Sequence, residues 1–506
     1  MLATVLSAAL VGLEAVPVSV EVDVGPGLPS FAIVGLPDTA VQEARERVRS
    51  ALRNSGFDLP PRRIVVNLAP ADRRKEGPAF DLPIALAVLV ATGQLAPACV
   101  RGYLALGELA LGGALRAIPG AIVAAQAAAA TRARGLLVPF GNAVEAAVAS
   151  EVLVYGVPSL RAAVDHVRGT QPVRPAMPPE AAAMPSPSLP DLADVRGQPA
   201  ARRALEIAAA GGLNVLLVGP PGVGKTMLAR RLPSLLPPLS RAEAVEVTKI
   251  YSVAGHLPEG CGLFWTRPFR APHHTATASA IIGGAGMRPG EITLAHHGVL
   301  FLDELPEFRQ DALEALRQPL EDGAVVIARA HGAVRFPARF ALVGAMNPCP
   351  CGYRGDPRRE CTCTPAQVQR YLARLSGPLL DRIDLHVEIP RPPTADVLGG
   401  GQGEGSDTVR ARVMAARARA AIREAAAARR NGAAPPSRLP ATADGGALHF
   451  LRAAADRLGL GARATERVLR VATAVADLEG RSTIEAHHVA EALRYRTLDL
   501  RPAMAP

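Results

Sequence analysis

Apolar and polar positions follow three different periods along this chain. Near the start, Val16-Pro-Val-Ser-Val-Glu-Val-Asp-Val24 alternates apolar with polar residues, the period of a strand with one buried face. Together with the apolar stretch before it, this predicts a buried first hairpin. Further on, Asn214-Val-Leu-Leu-Val218, Val299-Leu-Phe-Leu302 and Phe340-Ala-Leu-Val-Gly-Ala-Met-Asn347 are short and continuously apolar, as parallel strands covered on both faces are. Residues 227–232 read as the opening of a helix. Residues 325–336 read as a hairpin turned at His331-Gly332. Beyond residue 408 the period becomes helical, with helices expected over 409–430, 447–458, 464–479 and 484–495.

Two segments carry no such period. Residues 169–190 hold seven prolines and read as a tether, and 391–407 include Leu-Gly-Gly-Gly-Gln-Gly-Glu-Gly. At 506 residues the chain is too long for one core. The expected order is a first domain over 1–168, the linker 169–190, a parallel-sheet α/β domain over 191–390, the linker 391–407, and a helical domain over 408–506. The fold class is multidomain α/β.

Composition adds little to this beyond charge and compartment. A net charge of +10 suits a polyanionic partner. The first residues lack the positive region of a signal peptide, and no run of 18 apolar residues suggests a membrane span. The expectation is a soluble, cytoplasmic protein without a membrane partner.

The chemistry is concentrated in the middle third. Gly219, Pro220, Pro221, Gly222, Val223, Gly224, Lys225 and Thr226 fit G-x-x-x-x-G-K-[ST] without deviation, between a predicted strand and a predicted helix. The glycines let backbone N–H groups turn toward a triphosphate, and the helix start adds its positive dipole end. Lys225 would reach the β- and γ-phosphates, and the Thr226 hydroxyl would ligate Mg2+. The strand 299–302 then ends in Asp303, which completes the Mg2+ shell, and Glu304, which polarises the attacking water. A lone glycine loop of this form is often an ordinary turn, but the two motifs in this order point to hydrolysis of a nucleoside triphosphate, namely ATP. Asn347 ends the next strand, where a polar side chain can hold that water. Arg382 has two readings, a structural ion pair with Asp384 or an arginine finger offered to a neighbouring subunit. The arginines at 410, 412, 417, 419, 423, 429 and 430 have two as well, a solvated helix face or a nucleic-acid contact.

From residue 191 onward the chain resembles the magnesium-chelatase-like AAA+ ATPases, in particular the ComM/YifB competence-protein group. The resemblance rests on Arg267-Pro-Phe-Arg-Ala-Pro-His-His-Thr275, Pro289-Gly-Glu-Ile-Thr-Leu-Ala-His-His-Gly298, Asn347-Pro-Cys-Pro-Cys-Gly352 and Ser376-Gly-Pro-Leu-Leu-Asp-Arg-Ile-Asp-Leu-His386. It implies a P-loop AAA+ domain with a C-terminal helical lid, Asn347 as first sensor and Arg463 as second sensor. It further implies a homohexameric ring that drives branch migration of DNA, branched or single-stranded, during natural transformation. In such rings a glycine-rich insert and a hairpin line the channel, which makes Arg288, Arg329 and Arg335 candidates for phosphate contact; ordinary polar positions on a half-exposed hairpin are the other reading. A metal-chelatase motor subunit and a protein remodeller share the ATPase core and stand as alternatives.

The first domain resembles the Lon-protease-like fold related to ribosomal protein S5, through the stretch 67–83 and through Leu106-Gly-Glu-Leu-Ala-Leu-Gly-Gly113. The family's nucleophilic Ser falls on Ala79 and its Lys base falls near Ile122. Without a hydroxyl and an amine, Ser–Lys proteolysis is excluded. Arg45, Arg47, Arg49, Arg62, Arg63, Arg73, Arg74 and Lys75 would be either a basic surface or scattered solvated charge. His273, His274, His296 and His297 form two pairs without a matching carboxylate set and are not read as ligands. Finally, Cys349, Cys351, Cys361 and Cys363 fall within fifteen positions, which in a reducing compartment suits either a closed structural Zn2+ site or four free thiols.

Overall fold

The computed structural model describes residues 2–72, 75–149, 151–178, 189–284, 288–329, 332–393, 403–431 and 441–496. The alternating segment becomes the strand Glu14–Gly25, paired antiparallel with Leu2–Val11 across a two-residue turn in which Gly12 has φ +62°. These two strands lie inside a seven-stranded mixed sheet ordered 30–34, 63–69, 14–25, 2–11, 103–105, 135–139, 154–157. The helix Asp81–Ala91 is buried along its whole length, because every residue after its first is apolar or small. Its one carboxylate, Asp81, accepts a two-pronged bond from Arg47 at 2.7 and 3.0 Å. Arg47 is therefore an internal fastener, and Lys75 is fully buried, so neither belongs to a basic surface. Arg73 and Arg74 lie outside the described residues.

The proline-rich stretch is not wholly free. Val173 donates its N–H to His166 Nδ1 and Ala176 donates to the Val154 carbonyl, which lays its first part along the sheet edge.

The continuously apolar runs form a five-stranded parallel sheet ordered 269–270, 299–302, 341–346, 215–218, 385–388. The helix after the glycine loop stops at Ala229 and a second begins at Leu232, shorter than the period alone predicts. Pro233 is the reason: it has no N–H to give the Ala229 carbonyl. The hairpin pairs Ala324–Arg329 with Gly332–Pro337 and sets Arg329 opposite Gly332, one residue earlier than the expected turn.

The C-terminal helices run Ser406–Asn431, Gly445–Leu458, Ala462–Leu478 and Ala486–Leu493. At four positions of their arginine run the side chain is tied to a neighbouring element. Arg412 bonds Glu206, Arg417 the Ala209 carbonyl, and Arg419 and Arg423 bond Asp477. These bonds fasten the long helix to its neighbours. No helix among the described residues is long and apolar enough to cross a membrane.

The first sheet meets the body built on the parallel sheet along the helix Arg241–Ala254. Gly120 donates its N–H to Ser252 Oγ at 2.9 Å, and Ser252 Oγ faces Glu145, which also accepts from Asn142 at 3.0 Å. Burial pushes the Glu145 carboxyl up to about 7, against the opposing effect of these hydrogen bonds. The folded value lies above the unfolded one, so this group's stabilisation is complete below about pH 4.5 and is lost as pH rises through about 7. His296 and His386, pushed down by burial to about 4 and about 3, act in the opposite sense and lose stability as pH falls below their unfolded value. The difference between variants is therefore the informative quantity. Glu145→Gln is expected to match wild type near pH 4.5 and to exceed it by on the order of 3 kcal/mol at pH 8, measured by denaturant unfolding at both values.

Candidate nucleotide site

Strand register places the site. Val218 pairs with Met346 and Leu302 with Gly344, so Gly219, Asp303 and Asn347 leave the parallel sheet together at its carboxyl edge. Pro220 and Pro221 carry no N–H, so the inward donors begin at Gly222. Gly222 and Gly224 take φ +79° and +91°, which an L side chain rarely adopts, and a Cβ on Gly219 would run into the Ile389 carbonyl.

Four of the expected residues meet here. The Lys225 ammonium donates to the Gly219 carbonyl at 2.7 Å, the Pro220 carbonyl at 2.9 Å and Asn347 Oδ1 at 3.0 Å. Burial lowers its pKa, while the carboxylates of Asp303 and Glu304 oppose the shift. Thr226 Oγ1 donates to Asp303 Oδ2 at 2.7 Å. The ammonium is held by oxygen acceptors alone, the ligand type that phosphate also offers, and the adjoining hydroxyl and carboxylate are hard oxygen ligands that suit Mg2+. The residues present fit a magnesium nucleoside triphosphate.

Glu304 adopts φ +51°, a strained setting for a side chain of this size. Its N–H donates to Asp303 Oδ1, and its carboxylate lies 3.2 Å from His274 Nδ1. His274 stacks on His273 with ring centroids 4.1 Å apart. Sequence reasoning set this histidine pair aside for want of a carboxylate, but the carboxylate is Glu304 itself. The available signal was position, since the pair follows the strand Phe269–Arg270, whose neighbour in the sheet is the strand ending at Asp303.

The other histidine pair is a clamp. His296 and His297 both reach Glu246, at 3.0 and 2.8 Å. His296 Nδ1 accepts the Arg339 N–H, which leaves the proton of the neutral ring on Nε2, facing Glu246. A nitrogen that carries a proton is not a metal ligand.

The two remaining arginines sit apart from this cluster. Arg382 is buried and pairs with Glu321, not with Asp384, the partner named in its structural reading. Asp384 is already occupied: it accepts from the Asn214 N–H at 2.8 Å and meets Arg467 at 3.0 Å and Arg470 at 3.2 Å. Arg463 is largely exposed and pairs with Asp381 at 3.6 Å. Arg288 and Arg335 are both exposed, and the glycine insert packs on the hairpin where Gly283 meets Ile327. The Arg329 side chain lies outside the described residues. The four cysteine sulfurs converge, with ligand atoms within 4.8 Å of one another.

Comparison with known proteins agrees with this geometry. Family models described as magnesium chelatase, subunit ChlI, match residues 191–397 and 20–142, and a C-terminal model of the same subunit matches 403–496. A YifB protein of Salmonella typhimurium is 45% identical over 98% of this chain and 97% of its own length. The competence protein ComM of Haemophilus influenzae is 44% identical over 98% of both. The chain belongs to the ComM/YifB group of magnesium-chelatase-like AAA+ ATPases. By contrast, the 38 kDa magnesium-chelatase subunit of Rhodobacter capsulatus is 27% identical over 35% of this chain and 49% of its own length. Membership of the family implies use of ATP and Mg2+.

Asp384→Ala should cost about 3 to 5 kcal/mol, because it leaves two partly buried arginines and the buried Asn214 N–H without their carboxylate, whereas Arg463→Ala at an exposed pair should cost under about 1 kcal/mol. Urea unfolding of the two variants beside wild type checks the contrast.

Proposed function

We propose that this ComM/YifB-type ATPase is a cytoplasmic, homohexameric ring motor that acts on DNA and promotes branch migration during natural transformation or recombination. The observation that carries the reading is that Lys225, Thr226, Asp303 and Asn347 converge on the same body that displays Arg288 and Arg335 on an exposed loop and hairpin. A relative matched over its full length is named a competence protein, which supports the process. The chelatase alternative is weaker, since the matching chelatase subunits cover only about a third of the chain.

In this reading Lys225 exchanges its carbonyl partners for phosphate oxygens. Thr226 and Asp303 would hold Mg2+, which when bound neutralises phosphate charge. Glu304 leaves His274 and orients the attacking water by accepting its hydrogen bond, and Asn347 holds that water from the adjoining strand end. Arg382 serves a neighbouring subunit only by leaving Glu321, and Arg463 reaches nucleotide only by leaving Asp381. The first domain is a Lon-like module without proteolytic chemistry. Its small cavity beside Ala79 is walled by Leu10, Pro78, Ile118 and Pro119, and Glu76 is the one titratable residue that lines it. Its role is assembly or guidance of DNA, and the C-terminal helices form the lid.

Lys225→Ala should abolish nucleotide binding, and Glu304→Gln should bind ATP while losing at least about 100-fold in turnover. ATP turnover is expected to rise with a four-way junction, with strand exchange in the same tube that Glu304→Gln lacks. Turnover indifferent to DNA would sink the motor reading. Arg335→Ala should weaken DNA binding regardless of sequence and reduce the slope of log affinity against log salt by about 1.

A further inference from the structure

The four cysteines sit in a loop whose shape is already that of a metal knuckle. Cys349 Sγ lies 3.4 Å from Cys351 Sγ and 3.6 Å from Cys361 Sγ, and the Cys351 and Cys361 sulfurs are 3.6 Å apart. Tetrahedral zinc with Zn–S of about 2.3 Å sets neighbouring sulfurs about 3.8 Å apart. One sulfur facing two others is the convergence that a single cation requires and that pairwise disulfides do not produce. Cys363 Sγ accepts the Cys351 N–H at 3.3 Å, the kind of outer contact that orients metal thiolates. Four thiolates around a divalent ion leave a net negative charge, which Arg354, Arg358 and Arg359, set against Asp356 and Glu360 of the same loop, offset in part. The soft, all-sulfur ligand set selects zinc over magnesium or calcium.

The knuckle is also a wall of the nucleotide site. It begins two residues after Asn347. Gly352, at φ +85°, comes so close that a Cβ there would lie 2.8 Å from Pro221 Cδ and 3.8 Å from Asn347 Cγ. After Cys363, Thr364 caps the helix Pro365–Leu372, whose buried Tyr371 hydroxyl lies near the Asn347 backbone. Asp356 takes Arg391 at 3.1 Å, just past the strand Leu385–Glu388. The loop is thus clasped to the glycine loop, to Asn347 and to the adjoining strand.

We propose that Cys349, Cys351, Cys361 and Cys363 bind one Zn2+, and that the metal fixes the loop against which Pro221 and Asn347 are set, so that occupancy of the zinc site governs nucleotide affinity. The second half rests on the reading of residues 219–226 as the nucleotide loop.

The test uses the full chain. Elemental analysis of protein purified under reducing conditions should find one zinc per chain, and Cys351→Ser with Cys363→Ser should lose it. Equilibrium binding of a non-hydrolysable ATP analogue should weaken roughly tenfold when a chelator strips the metal, and recover with Zn2+ but not with added Mg2+. Gly352→Ala keeps all four thiols and serves where the serine variants do not fold: it should retain zinc and still weaken the analogue. Absence of zinc from both the native and the zinc-reconstituted protein overturns the site. Zinc present, with affinity unchanged by stripping and by Gly352→Ala, overturns the coupling. A chain that holds zinc yet never binds the analogue defeats the nucleotide reading and the coupling with it, and leaves the metal site supported.

Discussion

The site depends on one buried carboxylate at the opposite end of the sheet. Asp384 accepts from the Asn214 backbone and from Arg467 and Arg470, and it is fully buried. The Asn214 side chain completes the knot by accepting the Leu342 N–H and donating to the Arg382 carbonyl. The amino ends of three parallel strands are thereby locked to each other and to the helix Ala462–Leu478. Apolar runs such as Val-Leu-Leu-Val specify register weakly, because a one-residue slip exchanges one apolar residue for another. A buried charge left unpaired costs several kcal/mol, so the slipped pairings are excluded by electrostatics where packing alone would tolerate them. Only in this register do Gly219 and Asn347 emerge side by side at the far edge.

What was legible in the sequence is what is local. The glycine loop, the two carboxylates and the three core strands are recognisable because each owes its conformation to neighbours within a few positions. The arginines were not legible, and the reason is reach. Arg423 pairs with Asp477 and Arg412 with Glu206, partners brought near only by the packing of helices distant in sequence. Arg382 was offered an acid two residues away, Asp384, as one of its two readings, yet residues two apart do not face each other around a turn: Asp384 points to the core and Arg382 toward Glu321. His274 was missed for the same reason, since the strand pairing that sets it beside Glu304 is a tertiary fact.

The polar groups divide into those that hold the body together and those left for ligands. Lys225, Thr226 and Asp303 are partnered by one another, by Asn347, by loop carbonyls and by the Glu304 N–H, partners that a phosphate or a metal ion can displace at little cost. Arg467, Arg470 and Arg423 are fixed by buried carboxylates that nothing in water replaces cheaply. Arg382 falls between the two groups, buried itself while its partner Glu321 is half exposed. Unlike Arg467, Arg470 and Arg423, it is therefore paired with a carboxylate that water can reach.

The same two-residue period that hides one face of the hairpin decides how it can move. Val325, Ile327, Val334 and Phe336 face inward, while Val326, Ala328, Ala333 and Arg335 face out. The inward face does not rest on the ATPase core alone, because Gly12 at the first turn of the N-terminal sheet abuts Val334 and Phe336 so closely that a Cβ would overlap Val334. Val11 and Leu13 pack into the same cluster. A displacement of the hairpin must then either carry the first domain or break this contact. The second anchor, where Gly120 and Glu145 meet Ser252, lies on the helix that Glu246 joins to His296 and His297, just before the strand that ends at Asp303. Both anchors of the N-terminal domain thus reach elements tied to the nucleotide strands. A change at those strands has a packed route to the first domain.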